Sequence, residues 1–325
     1  MNKVNEVSVE QLGLALHQVQ SPVVVRGLTT DWPIVQAAKQ RLGVLSDYLL
    51  EQGNPILVGT GKVPQQYQGR LFYNDDYTDM NFERTGQDFY SFVDLLFNEQ
   101  QDARYMGSTN VNQLFKHFKQ DNALPLIEPF SPLVSAWLSN QTSVAPHQDF
   151  PDNLAVCVAG KRRFTLFPPD QVENLYIGPL EHTPAGQPIS LVNVQDPDFN
   201  QHPKYELALQ QALVVELEPG DALLIPSLWW HAVEGLESVN MLINYWWQTS
   251  ANYLGSPMDA LMHSIMNISA LAPEQKQAMK ALFDHYVFND TVPNEHIPEQ
   301  ARGVLSQDEM AVRKIRAYLI NKLNQ

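Results

Sequence analysis

The stretch His147-Gln148-Asp149-Phe150-Pro151-Asp152-Asn153, continuing as LAVCVAGKRRFTLFPP to Pro169, decides how this chain is read. Residues two apart on a β-strand project from the same face, so His147 and Asp149 can reach one point. An imidazole and a carboxylate aimed at one point suit a divalent metal. A third ligand from elsewhere would complete a facial two-histidine, one-carboxylate site. Alone, the triplet is a weak signal, because a core histidine beside a capping aspartate has the same letters. A second stretch strengthens it: PGDALLIPSLWWHAVE, Pro219 to Glu234, carries His231 just beyond an apolar run.

Outward from these stretches, Val134 to Trp247 shows little helical period. Short β-branched, aromatic and aliphatic runs alternate with Pro, Gly, Asn and Asp turns, as in an all-β sandwich or barrel. Ala159-Gly160-Lys161 reads as a hairpin tip, and Pro219-Gly220-Asp221 as a turn feeding a strand over Ala222 to Ile225. Glu181 to Tyr205, rich in Pro and Gly, reads as a long excursion over the barrel, and excursions of that length are often functional.

The flanks are helical. Ser8-Val9-Glu10-Gln11 has the form of a capping box ahead of Leu12, Leu16 and Val19 at helical spacing. Val23 to Val25 reads as a buried strand, Asp31-Trp32-Pro33 as a capped helix start, Tyr90 to Phe97 as a helix and Arg104 to Gly107 as a strand. Beyond Gly255, Met258, Leu261, Met262, Ile265 and Met266 form one apolar face. Ser306-Gln307-Asp308-Glu309 reads as a second capping box, leading the stripe Val312, Ile315, Leu319 and Leu323. The expected organisation is a domain over residues 1–255, with a barrel core at about 105–250, and a helical region over residues 256–325.

The chain has 325 residues, 44% hydrophobic and 18% charged, in the range of globular proteins. A formal charge of −15 argues against a nucleic-acid partner, since phosphate neutralisation needs excess Lys and Arg. The N-terminus lacks a continuous apolar signal core, and no apolar run is long enough for a membrane helix. Cytoplasm is therefore the expected compartment. A single cysteine, Cys157, excludes an internal disulfide and a cysteine-based zinc cage.

Taken together, HQDFPDNL, VAGKRRFTLFPP, PGDALLIPSLWWH and NYWW resemble the JmjC and cupin-like group of iron(II)- and 2-oxoglutarate-dependent oxygenases. Within that group they are most similar to the asparaginyl hydroxylase that inhibits hypoxia-inducible factor. The similarity runs from roughly Tyr105 to Trp247, and the earlier SPVVVRGLTTDWP shares it. The resemblance implies a double-stranded β-helix, the cupin or jelly-roll barrel, with N-terminal decoration and a C-terminal helical appendage. It implies iron ligation by His147, Asp149 and His231, and 2-oxoglutarate contacts from Asn153, Asn244, Trp246 and Tyr105. It further implies hydroxylation of a protein side chain or small molecule, and a homodimer formed through the C-terminal helices.

Two positions depart from the family pattern. The lysine expected two residues after Gly160 is Arg162, and a threonine expected three residues before His147 is Val144. Arg162 is the expected anchor for the distal carboxylate, because a guanidinium clamps carboxylates with two parallel hydrogen bonds. Lys161, one residue off, should face the other way. Two other readings stand beside the oxygenase: a cupin metal enzyme with a different co-substrate, and a non-catalytic module that holds a peptide in the same groove.

Overall fold

The computed structural model describes residues 2–324 apart from Val19, Gln100, Ala185, Thr249 and Val292. Val19, expected on the first helix, thus lies outside the described residues. The chain divides into two compact units, Met1–Trp247 and Gln248–Gln325.

The first unit is built on two sheets, of nine and six strands. Leu133–Ser139, Asp152–Ala159, Ala222–Ile225 and Asn240–Trp247 are neighbours in the nine-stranded sheet. Ser143–Gln148, Arg162–Phe167, Leu213–Leu217 and Trp230–Gly235 are neighbours in the six-stranded one. Along the chain these strands switch between the sheets, apart from the pair Arg162–Phe167 and Leu213–Leu217, which stays in one. That winding is the expected cupin or jelly-roll double-stranded β-helix. Its two halves remain separate sheets rather than one closed hydrogen-bonded cylinder.

The switching corrects one local reading. Ala159-Gly160-Lys161 is no hairpin tip, because the strands on either side of it lie in different sheets. Hairpins and sheet-crossing corners draw on the same turn residues, so sequence alone does not separate them. Gly160 has φ +69°, and a Cβ there would meet the Val239 carbonyl oxygen at 2.4 Å. Only glycine makes this corner without strain.

Strand Asp152–Ala159 is apolar on both faces. Ala155 and Cys157 pack between the sheets with Phe164, Leu166, Val233 and Leu242. Leu154, Val156 and Val158 face the other way, in a core shared with Ile34, Leu45, Phe89 and Phe92. Those last four lie on the helices Pro33–Gln40, Leu42–Gln52 and Phe89–Asn98 that cover the large sheet. A strand covered on both faces needs no polar alternation, which explains the unbroken run NLAVCVA.

Ser8 and Gln11 form the expected capping box on helix Val9–Ala15. Asp31 does not cap the next helix; Trp32 occupies the N-cap without a side-chain bond, and Pro33 is the first helical residue. In the second unit, helices Pro257–Ile268 and Glu309–Leu323 carry the expected apolar stripes, and helix Pro273–Tyr286 lies between them in the chain. The last of these is capped by Asp308, which accepts from Ala311 N; Ser306 instead closes a preceding 3-10 turn. On the final stripe Val312 is buried, while Leu319 and Leu323 are exposed. Among the described residues no helix is long and apolar enough to cross a membrane.

Candidate metal centre and adjoining cavity

His147 and His231 are direct cross-strand partners in the antiparallel pair of Ser143–Gln148 and Trp230–Gly235. Their ring centroids stand 4.2 Å apart. Each Nδ1 lies 3.0 Å from the backbone carbonyl two residues earlier, Ala145 for His147 and Trp229 for His231. A carbonyl oxygen only accepts, so each Nδ1 carries the proton and each Nε2 keeps its lone pair. Orientation of this kind typically accompanies metal-ligating histidines.

Asp149 lies one residue past the end of its strand, so the H-x-D pair is set by strand and loop rather than by strand alternation alone. Its carboxylate Oδ2 is 3.7 Å from His231 Nε2. One donor atom from each of His147, Asp149 and His231 lies within 4.8 Å of the others, a spacing that can hold a metal ion. Burial, and then the neighbouring His147, hold the His231 pKa well below the ordinary imidazole value. The ring is therefore neutral at neutral pH, as ligation requires.

The turn before His231 is stitched to the loop after His147. Leu228 N donates to the Asp149 carbonyl at 2.8 Å, Ser227 N donates to Asp152 Oδ1 at 2.8 Å, and the Ser227 hydroxyl donates to the Phe150 carbonyl. Leu228 takes φ +63° to make these contacts possible. A left-handed leucine costs about 1–2 kcal/mol, which the three bonds help offset.

A cavity of about 320 Å³ adjoins the three side chains. Tyr105, Asn153, Arg162, Asn244 and Trp246 all line it, together with Val144 and Trp137. Asn244 Nδ2 donates to Asn153 Oδ1 at 2.8 Å, and both residues are buried. Arg162 is 3% exposed, with long 3.3 Å bonds from Nη2 to Ser139 Oγ and to the Asn240 carbonyl. Burial lowers its pKa, and among the described residues no carboxylate pairs with it. Burial likewise raises the Tyr105 hydroxyl.

Three buried donors around this cavity have no partner: Arg162 Nε, Trp137 Nε1 and Trp246 Nε1. Orphaned buried donors are rare, and a cation beside two free indole N–H groups suits an anionic ligand rich in acceptors. The residues thus fit a keto dicarboxylate. Trp137 and Ser139 were absent from the sequence-derived site. Only strand pairing reveals them: Trp137 pairs with Leu242 and Ser139 with Asn240, on the face that Asn244 and Trp246 share.

The family model described as "Cupin-like domain" matches residues 12–253. The chain is 28% identical over 146 residues to the Arabidopsis thaliana protein named lysine-specific demethylase JMJ31, covering 44% of this chain and 26% of that one. It is 25% identical over 236 residues to Xenopus tropicalis lysine-specific demethylase 8, covering 70% of this chain and 48% of the relative. It is 25% identical over 266 residues to mouse tRNA wybutosine-synthesizing protein 5, covering 76% and 77% of the two. The chain thus matches only a quarter to a half of the two demethylases' length. The family match itself spans most of the chain, and the protein is a member of the cupin-like domain family of JmjC type.

Proposed function

We propose that the protein is an iron(II)- and 2-oxoglutarate-dependent oxygenase that hydroxylates a C–H bond of its substrate. The carrying observation is that one cavity joins the His147, Asp149 and His231 donors to a buried, carboxylate-free guanidinium. The two imidazoles and the carboxylate would hold the metal and leave positions open on it. Arg162 would clamp the distal carboxylate of 2-oxoglutarate, with Tyr105, Trp246 and the Asn153–Asn244 pair as further hydrogen-bonding partners. When bound, iron and the keto acid would activate dioxygen, the oxidant, one of whose oxygen atoms would go to the substrate C–H bond and the other to succinate as the keto acid loses carbon dioxide.

The chain's own contribution is orientation and exclusion. The Ala145 and Trp229 carbonyls fix the tautomers of both histidines. Val144, Phe164, Val233 and Leu242 keep the keto-acid side of the cavity apolar, which strengthens the Arg162 contact and sheds competing water. Names of relatives span lysine demethylation and tRNA modification; a formal charge of −15 weighs against nucleic acid as this protein's substrate. We further propose a homodimer formed through the C-terminal helices.

The test is calorimetry with manganese in place of iron, followed by titration of 2-oxoglutarate. Sequential binding is expected. Succinate release coupled to a +16 product from a lysate, with iron and ascorbate supplied, would complete it. Metal binding without keto-acid binding would replace this reading with a cupin enzyme of another co-substrate.

A further inference from the structure

A second cavity, of about 500 Å³, shares Tyr105, Trp137, Val144 and His147 with the first. Part of its lining is built without side chains. Gly59 lies on strand Leu57–Val63, pairs with Gly86 on Glu83–Asp88, and neighbours Gly107 on Ala103–Asn110. A Cβ added at Gly59 meets nothing within 4 Å, and one at Gly107 comes no closer than 3.8 Å to the Tyr105 ring. Neither glycine has positive φ. Backbone and packing would both accept a side chain at either position, so what these glycines preserve is space.

The charge of that space is one-sided. Leu71, Phe82, Val144 and Ile189 supply apolar wall, and among the described residues no Asp or Glu lines the cavity. Among the described lining residues the charged side chain is Arg84, whose Nη2 donates to the carbonyls of Thr183 and Pro184. The guanidinium carbon stands 5.3 Å from the Phe82 ring centroid. A lysyl or arginyl cation placed here would lose water, face a fixed cation and find no carboxylate. An uncharged apolar group meets none of these penalties.

The cavity also continues. Phe82 and Arg84 line a further depression of about 800 Å³, whose rim, unlike the glycine-lined cavity, carries the carboxylates Asp79, Glu83 and Glu181. Together the two hold far more than one amino acid. Strand Glu83–Asp88, which borders both, is the last in its sheet, with one edge unpaired among the described residues. An unpaired edge accepts an extended chain.

We infer that the glycine-lined cavity receives an uncharged apolar side chain, of leucine or phenylalanine size, presented by an extended polypeptide, and that it excludes lysine and arginine. The inference rests on the oxygenase reading only for what is done to that side chain.

The experiment is fluorescence polarisation of labelled, end-capped Gly/Ser peptides with a central Leu, Phe, Lys, Arg or Glu, on the manganese-loaded protein without oxygen. The Leu or Phe peptide is expected to bind at least about tenfold more tightly than the Lys and Arg peptides. Gly59→Leu, which fills the open space, is expected to weaken that binding by more than about tenfold; a Gly107→Val variant checks the same space from the next strand. Calorimetric metal affinity shows whether each variant is folded. Equal or tighter binding of the Lys or Arg peptide overturns the inference, as does binding of no peptide. Free leucine or phenylalanine competing as well as the peptide overturns the polypeptide assignment. Keto-acid titration is read separately: its failure with peptide selectivity intact counts against the oxygenase reading and leaves the cavity assignment in place.

Discussion

Lys161 and Arg162 are adjacent in sequence and opposite in environment. Lys161 reaches out to Glu218, with Nζ 3.2 Å from Oε1, whereas Arg162 is 3% exposed and lines the cavity. Truncating one partner of a buried charged pair costs roughly 2–5 kcal/mol, and each 1.4 kcal/mol is about tenfold in affinity. Arg162→Ala is therefore expected to weaken 2-oxoglutarate binding by more than about tenfold. Lys161→Ala should change it little, because its ion pair with Glu218 is solvent-screened and lies outside the cavity lining. Calorimetry on both variants decides; the reverse order would move the anchor to Lys161.

Asp149 opens the loop after one strand, Asp152 begins the next strand, and the two do different things. Asp149→Ala removes an anionic donor and should weaken manganese binding by at least about tenfold, as loss of a bonded charge does. Asp152→Ala removes the acceptor of the Ser227 N–H. Its main effect should be a loss of about 1–3 kcal/mol in stability, with metal affinity changed less than by the Asp149 substitution. Similar metal affinities for the two variants would remove Asp149 from the ligand set.

Burial raises the Cys157 thiol to about 12, from an ordinary value of 9.0. The folded state then keeps a proton that the unfolded state gives up. Its stability contribution is complete below pH about 9 and declines as pH rises toward about 12, by roughly 2 kcal/mol at pH about 10.5. Guanidinium unfolding at pH 7 and at pH 10.5 should show a smaller decline for Cys157→Ala than for wild type. At pH 8 a thiol reagent should label this cysteine only on unfolding; rapid labelling of the native protein would contradict its buried placement.

Leu319 and Leu323 leave 41% and 57% of their surface exposed on the last helix, beside Tyr318 and Ile320. An apolar face of that extent needs cover, and a second copy of the chain is the proposed cover. Light scattering should give a dimer for the full chain and a monomer for a chain ending before Ser306. Two monomers would end the proposal.

The jelly roll was legible because its strands are short, β-branched and punctuated by turn residues. The three candidate ligands were legible because each sits in a dense motif. Arg162 was separable from Lys161 by strand parity alone. Trp137 was not, since LVSAWLS reads equally well as core on either face until its pairing with Asn240–Trp247 is known. The glycine-lined cavity was hidden for a different reason. Glycines weaken the β pattern of LVGTGKV, so the strand carrying Gly59 fell in a stretch with no clear period. The corner at Gly160 was misread because turn chemistry reports a reversal of the chain, not the sheet to which it returns.

The rung that pairs His147 with His231 unites segments far apart in the sequence, with the whole excursion from Glu181 to Tyr205 lying between them. Closing so long a loop is slow and entropically costly before the contacts it permits are made. A nascent chain released before Trp230–Gly235 has joined the sheet carries one histidine and one aspartate, a poor chelator. Under the proposed ligation, competence to load metal would arrive late and all at once, and metal uptake during refolding would serve as a timer for completion of the sheet.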